Sequence, residues 1–172
     1  MISGKTGKIV RSIPAPYKEE MFVPIQMITQ KDGTEVLLIL TGGQNTAGGV
    51  YKILLDSLTN FKNENDYTTV QRSSSGFLVP AILTDLTGDS IHDIIVSSFN
   101  SSIYAFNGVT NQLLWNYNFP SSESVSSLVP GNYDSDNITD VMVKYSTGPG
   151  FPIYYYSQVS IHSIKLKLKN KL

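Results

Sequence analysis

The 172-residue chain contains no cysteine. That excludes a disulfide framework, a thiolate nucleophile and any Cys-ligated zinc or iron–sulfur centre. Excess positive charge is also missing: 13 Lys and Arg stand against 14 Asp and Glu, which leaves no basic footprint for nucleic acid. Long apolar runs are absent too. The longest, Val36 to Leu40, falls far short of the ~18 residues of a membrane span, so no direct membrane contact is expected within this chain. The opening Met1-Ile2-Ser3-Gly4-Lys5 lacks the apolar stretch of a signal peptide. Histidine is scarce. His92 and His162 are isolated, and no G-x-S-x-G is present, so no nucleophilic triad can be assembled and no enzymatic activity is expected.

What is present suits strands and turns. Apolar residues make up 41% of the chain and aromatics 10%, enough to bury a core. Short apolar runs recur at Val36–Leu40, Val79–Leu83, Asp93–Val96, Ser102–Phe106 and Val141–Val143, separated by Gly, Asn, Asp and Ser clusters. Tyr51–Leu58 followed by the polar stretch Asn60–Asp66 reads as a helical turn or as an outer strand with a long loop; the loop is preferred.

The chain matches itself. Val79-Pro80-Ala81-Ile82-Leu83-Thr84-Asp85 through Val96 recurs as Ser126 through Val143, with Asp93 and Asp140 in register 47 residues apart. A degraded copy runs from Val23 to Leu38, 56 residues before the first. A second element, Ala105-Phe106-Asn107-Gly108 through Trp115, matches Met1-Ile2-Ser3-Gly4 through Arg11 at a separation of 104 residues. One period of roughly fifty residues of short strands predicts propeller blades, each a four-stranded sheet that needs neighbours to cover its faces. The expected fold is all-β, a β-propeller fragment of about two to three blades and an incomplete part of a larger propeller. Residues 1–160 form the partial propeller: a blade end at 1–22, a degenerate blade at 23–78, and blades with Asp-rich loops at 79–124 and 125–160. Residues 161–172 form an atypical basic tail, open between an amphipathic edge strand and a non-native extension.

Six of the nine aspartates lie in two nine-residue windows. Calcium takes six to eight hard oxygen ligands, often from alternate residues of a tight loop plus a backbone carbonyl. The first window offers Asp85, Thr87, Asp89 and Asp93 at positions 1, 3, 5 and 9, with the Ile91 carbonyl at 7. The second offers Asn132, Asp134, Asp136 and Asp140, with the Ile138 carbonyl at 7. An EF-hand needs Glu at position 12, where this chain has Val96 and Val143, and needs flanking helices instead of β-branched runs. The alternative without metal is a solvated turn, since Asp, Asn, Gly and Thr are good turn formers. The upstream copy is one residue short and carries Lys31 among the would-be ligands, so no metal is expected there.

These windows resemble the Asp-x-Asp-x-Asp-Gly-x-x-Asp calcium loops of integrin-α-like FG-GAP-repeat β-propellers. The resemblance covers roughly residues 1–160 and implies calcium ligation by the two ligand sets just given. Clear Phe-Gly and Gly-Ala-Pro signatures are lacking. Ala105 to Trp115 is similar to the Ala-x-Asp-x-x-Thr-Gly-x-x-x-Trp docking motif of quinoprotein-like propellers. Asn107-Gly108 and Asn111 suit a tight turn, with Asn111 tolerated in a left-handed conformation where the motif has Gly, and Trp115 is expected between adjacent blades. A propeller combining both motifs looks like the single-pass membrane proteins of the "family with sequence similarity 234" group. That resemblance implies a non-enzymatic ectodomain segment, on the extracellular side of a membrane protein whose anchor lies outside this chain. Its use would be recognition of a protein partner or scaffolding. Two rivals are a cytosolic FG-GAP-like scaffold subunit and a quinoprotein-like enzyme fragment.

Other features carry less. Gly4-Lys5-Thr6 echoes the end of a phosphate loop, but the repeat assigns it to a hairpin turn. Gly42-Gly43 and Gly48-Gly49 lack dinucleotide-binding spacing and read as a flexible blade loop. Gly148–Pro152 with Tyr154-Tyr155-Tyr156 is the best candidate partner surface. Asn100-Ser101-Ser102 and Asn137-Ile138-Thr139 have the N-glycosylation pattern, in about the number that composition alone produces.

Overall fold

The computed structural model describes residues 1–119, 124–133, 139–146 and 162–164. The molecule is all-β: no α-helix occurs among the described residues, and three antiparallel sheets follow one another along the chain. The first contains β1 (Gln26–Thr29), β2 (Glu35–Leu40), β3 (Gly48–Leu54) and β4 (Thr68–Ser73) in that order. The second contains β5 (Ile82–Thr84), β6 (Asp93–Ser98), β7 (Ser102–Phe106) and β8 (Leu113–Asn118), again in chain order. In the third, β10 (Asp140–Ser146) pairs with both β9 (Ser124–Gly131) and β11 (His162–Ile164). The repeat offsets recur as strand offsets. β1 and β5 begin 56 residues apart, at Gln26 and Ile82, while β6 and β10 begin 47 apart, at Asp93 and Asp140.

Period-2 alternation assigns side chains to faces. Ile28, Leu38, Leu40 and Val50 of the first sheet meet Ile94, Val96 and Phe106 of the second in one buried cluster. Ile95, Ile103 and Ala105 point the other way and pack with Val141 and Val143 of the third sheet. The middle sheet is therefore covered on both faces, and every residue of β6 is buried. A strand in that position reads as a continuous apolar run, which explains Ile94-Ile95-Val96. On the outer face of the first sheet, Ile39, Tyr51 and Ile53 pack with Leu58, Tyr67 and Ile13.

The connections differ in character. Tyr51–Leu58 combines the two readings: it is strand to Leu54, an inner strand paired with both β2 and β4, and then a 3₁₀ turn at Leu55–Leu58, with a second 3₁₀ turn at Glu64–Asp66 in the loop that follows. The Gly-rich segment after β2 is also a loop, but a close-packed one. Gly76, in the link between the first two sheets, donates its amide to the Gly43 carbonyl at 2.7 Å, and Phe77 donates to Thr41 at 3.0 Å. A Cβ on Gly76 or Gly48 would overlap the backbone of Gly42 or Thr41, so only glycine lets these chains cross.

The two hairpin-turn repeats share one hydrogen-bond pattern. Asn107 N–H donates to Gln112 O at 2.8 Å and Asn111 N–H to Asn107 O at 3.0 Å; Ser3 N–H donates to Lys8 O at 2.9 Å and Gly7 N–H to Ser3 O at 2.8 Å. Asn111 (φ 62°) and Gly7 (φ 67°) both take the left-handed conformation. At the amino terminus this turn is flanked by an isolated bridge between Ile2 and Ile9 and by the Val10 and Arg11 amides donating to Met1 O.

Candidate metal loops and the inter-sheet contact

The Asp-rich loop between β5 and β6 is organised around its carboxylates. Asp85 Oδ1 accepts from the amides of Gly88 (2.7 Å) and Asp89 (3.2 Å), and its Oδ2 accepts from Ser90 (2.8 Å). Asp89 Oδ1 accepts from Ile91 N–H at 2.8 Å. Asp93 is fully buried; its Oδ2 accepts from Leu86 (2.8 Å) and Thr87 (2.9 Å), and its Oδ1 from Gly108 (2.9 Å) in the β7–β8 turn. Ile91 drops its side chain into the cluster between the first two sheets and so anchors the loop. Desolvation works against ionisation of Asp85, but the amides of Ser90, Gly88 and Asp89 outweigh it and hold its carboxyl below the usual range.

The second loop closes in the same way where it is described. Tyr133 N–H donates to Asp140 Oδ2 at 2.8 Å, the counterpart 47 residues on of Leu86 N–H to Asp93 Oδ2. Asp140 is buried and Asn132 exposed. The Thr84 and Thr139 hydroxyls meet at 3.2 Å across the two sheets. Asp134, Asp136 and Ile138 lie outside the described residues.

The donors of the first loop, three carboxylates with the Thr87 hydroxyl and the Ile91 carbonyl, are hard oxygens suited to calcium. In the arrangement described, backbone amides take up much of the carboxylates' accepting capacity. No three His, Cys, Asp or Glu side chains among the described residues come together as a metal-holding group. Asp85 and Asp93 each accept three amide hydrogens, leaving about one of four lone-pair positions on each. The loop is thus held by its own backbone, and a cation would add to that closure without creating it.

Sequence reasoning missed Lys52. It sits in β3 with only 5% of its surface exposed, and its ammonium donates to Gly108 O and Asn111 Oδ1 in the second sheet, both at 2.6 Å. Gln30 Nε2 also donates to Gly108 O, at 3.3 Å. One residue, Gly108, therefore ties two sheets together: its N–H donates to Asp93, and its carbonyl accepts from Lys52 of the first sheet and from Gln30, the residue after β1. Burial pushes the Lys52 ammonium down to about 8, partly opposed by the charge of Asp93. The available signal was a lysine inside the apolar run Val50-Tyr51-Lys52-Ile53-Leu54. Lys52 also borders an open cleft of about 620 Å³ whose lining includes Lys31, Asp32, Asp66 and Asp89.

No protein-family model matches this chain, and no curated protein matches it either. Of the remaining sequence features, Trp115 packs against the cluster between the second and third sheets. Gly4-Lys5-Thr6 forms part of the amino-terminal turn, and His92 is exposed within the first Asp-rich loop. Gly148–Pro152 and Tyr154–Tyr156 lie outside the described residues.

Proposed function

We propose that this chain is a non-enzymatic, calcium-braced segment of an FG-GAP-type β-propeller, part of the ectodomain of a membrane protein, serving in protein recognition or scaffolding. The observation that carries the reading is the repeated closure of an Asp-rich loop, by the amides of Leu86 and Tyr133 on Asp93 and Asp140, in consecutive stacked sheets. Stacked antiparallel four-stranded units in chain order are the architecture that propeller blades require. Asp85, Thr87, Asp89, the Ile91 carbonyl and Asp93 hold one calcium; Asn132, Asp134, Asp136, the Ile138 carbonyl and Asp140 hold the other. Calcium supplies positive charge against three carboxylates per loop, and its role is to stiffen the end of each sheet.

Because the amides close the first loop already, calcium adds an increment of stability and is not a condition for folding. With affinities of 10⁻⁴–10⁻³ M, typical of extracellular modules, about 10 mM calcium stabilises by about 1–3 kcal/mol per site. Thermal melting of the purified chain in calcium and in chelator tests this. A higher melting temperature in calcium supports the reading; equal melting temperatures sink it.

A further inference from the structure

We propose that Asn100 carries an N-linked glycan. The other sequon, at Asn137, falls inside the second Asp-rich window, where a glycan is not expected, and the fold places this one. β6 ends at Ser98 and β7 begins at Ser102, and these two residues pair directly. The hairpin closes through Ser101 N–H donating to Ser98 O at 3.2 Å, with Ser101 in the left-handed conformation. Asn100 stands exposed at the tip.

The surroundings are polar. Asn100 Nδ2 donates to Ser73 Oγ at 3.2 Å, the Ser73 and Ser98 hydroxyls meet at 2.8 Å, and Ser98 Oγ donates to Ser75 O at 3.3 Å. A carboxamide nitrogen has two hydrogens. One is replaced on glycosylation while the other remains available to Ser73. Placement in the stack matters as much as exposure. Both faces of β6 are consumed by sheet–sheet packing, so along this strand a bulky polar group fits only at the ends. Asn100 lies at the end of β6 opposite Asp93, away from the Asp-rich loop. In the transfer, Asn100 Nδ2 forms a bond to the anomeric carbon of a lipid-pyrophosphate-linked oligosaccharide. That carbon's bond to the pyrophosphate oxygen breaks, the lipid pyrophosphate leaves, and the amide gives up one proton.

This inference rests on the ectodomain reading, and the experiment separates the two. The chain is expressed behind a secretory leader in mammalian cells, and the secreted protein is treated with peptide N-glycosidase. Peptide mapping is expected to find Asp at position 100 after the enzyme, and Asn100→Gln and Ser102→Ala are each expected to remove that signal while secretion continues. A secreted chain with unmodified Asn100 overturns the proposal and leaves the ectodomain reading intact. If the chain is not secreted, the native protein is mapped instead in its own cells, together with protease protection of intact membranes. Glycan at Asn100 there supports the proposal, and its absence overturns it. An epitope accessible only from the cytosol overturns the ectodomain reading separately.

Discussion

The β1–β2 and β5–β6 connections occupy the same place in the repeat and are built differently. Between β1 and β2 the chain turns back quickly, with Gln30 N–H bonded to Thr34 O at 2.8 Å and Gly33 N–H to Gln30 O at 3.0 Å. Its one aspartate, Asp32, accepts a single amide, from Thr34, at 2.9 Å. Between β5 and β6 the loop is longer, and its amides are bonded to carboxylates instead of to carbonyls. A short turn can satisfy its backbone with backbone. A longer loop leaves amides pointing inward, and anionic side chains supply the missing acceptors. The aspartates of the longer loop therefore have a structural task, as acceptors for its amides, that does not depend on a cation.

Mutating the two connections tests that contrast most strongly. Asp93→Ala leaves the buried amide of Gly108 and the part-buried amides of Leu86 and Thr87 without their acceptor and should cost about 3–5 kcal/mol in urea unfolding, even in chelator. Asp93→Asn keeps one acceptor oxygen and should fall between the two. Asp32→Ala, in the exposed short turn, should leave the unfolding midpoint nearly where it was. Equal effects at Asp93 and Asp32 in chelator would remove the distinction.

A smaller effect concerns the clamp between the sheets. Lys52 titrates near 8 in the folded protein, below its unfolded value of 10.5, so the unfolded chain binds more protons in that window. Stability then rises with pH from about 8 to 10.5 as the cost of a buried charge is relieved. Relative to Lys52→Met, the unmutated protein should gain up to about 3 kcal/mol across that interval, read from unfolding curves at each pH. A constant difference would mean that the ammonium is not desolvated. Smallest is the calcium increment. It should fall by one site's share in Asp93→Asn and persist in full in Asp32→Ala.

Much of this was legible in the residues. The offsets of 47, 56 and 104 residues recur in strand starts and in the matched hydrogen bonds of Ser3 and Asn107, because a repeat in turn-forming side chains specifies local geometry. Asn111 was readable as a left-handed position for the same reason. The amide ligation of Asp85 and Asp93 was not, since clustered carboxylates suggest a cation equally well and only loop conformation decides which partner they meet.

An all-β chain of repeated strand–turn units was readable from the residues, because alternation, turn chemistry and repeat spacing act over a few residues. Sheet stacking was needed to make Gly42, Gly48 and Gly76 a backbone crossing, to bring Lys52 to the carbonyl of Gly108, and to bury β6 on both faces. Each of these joins segments distant in the chain, and no local preference encodes which face will meet which neighbour until the sheets stack.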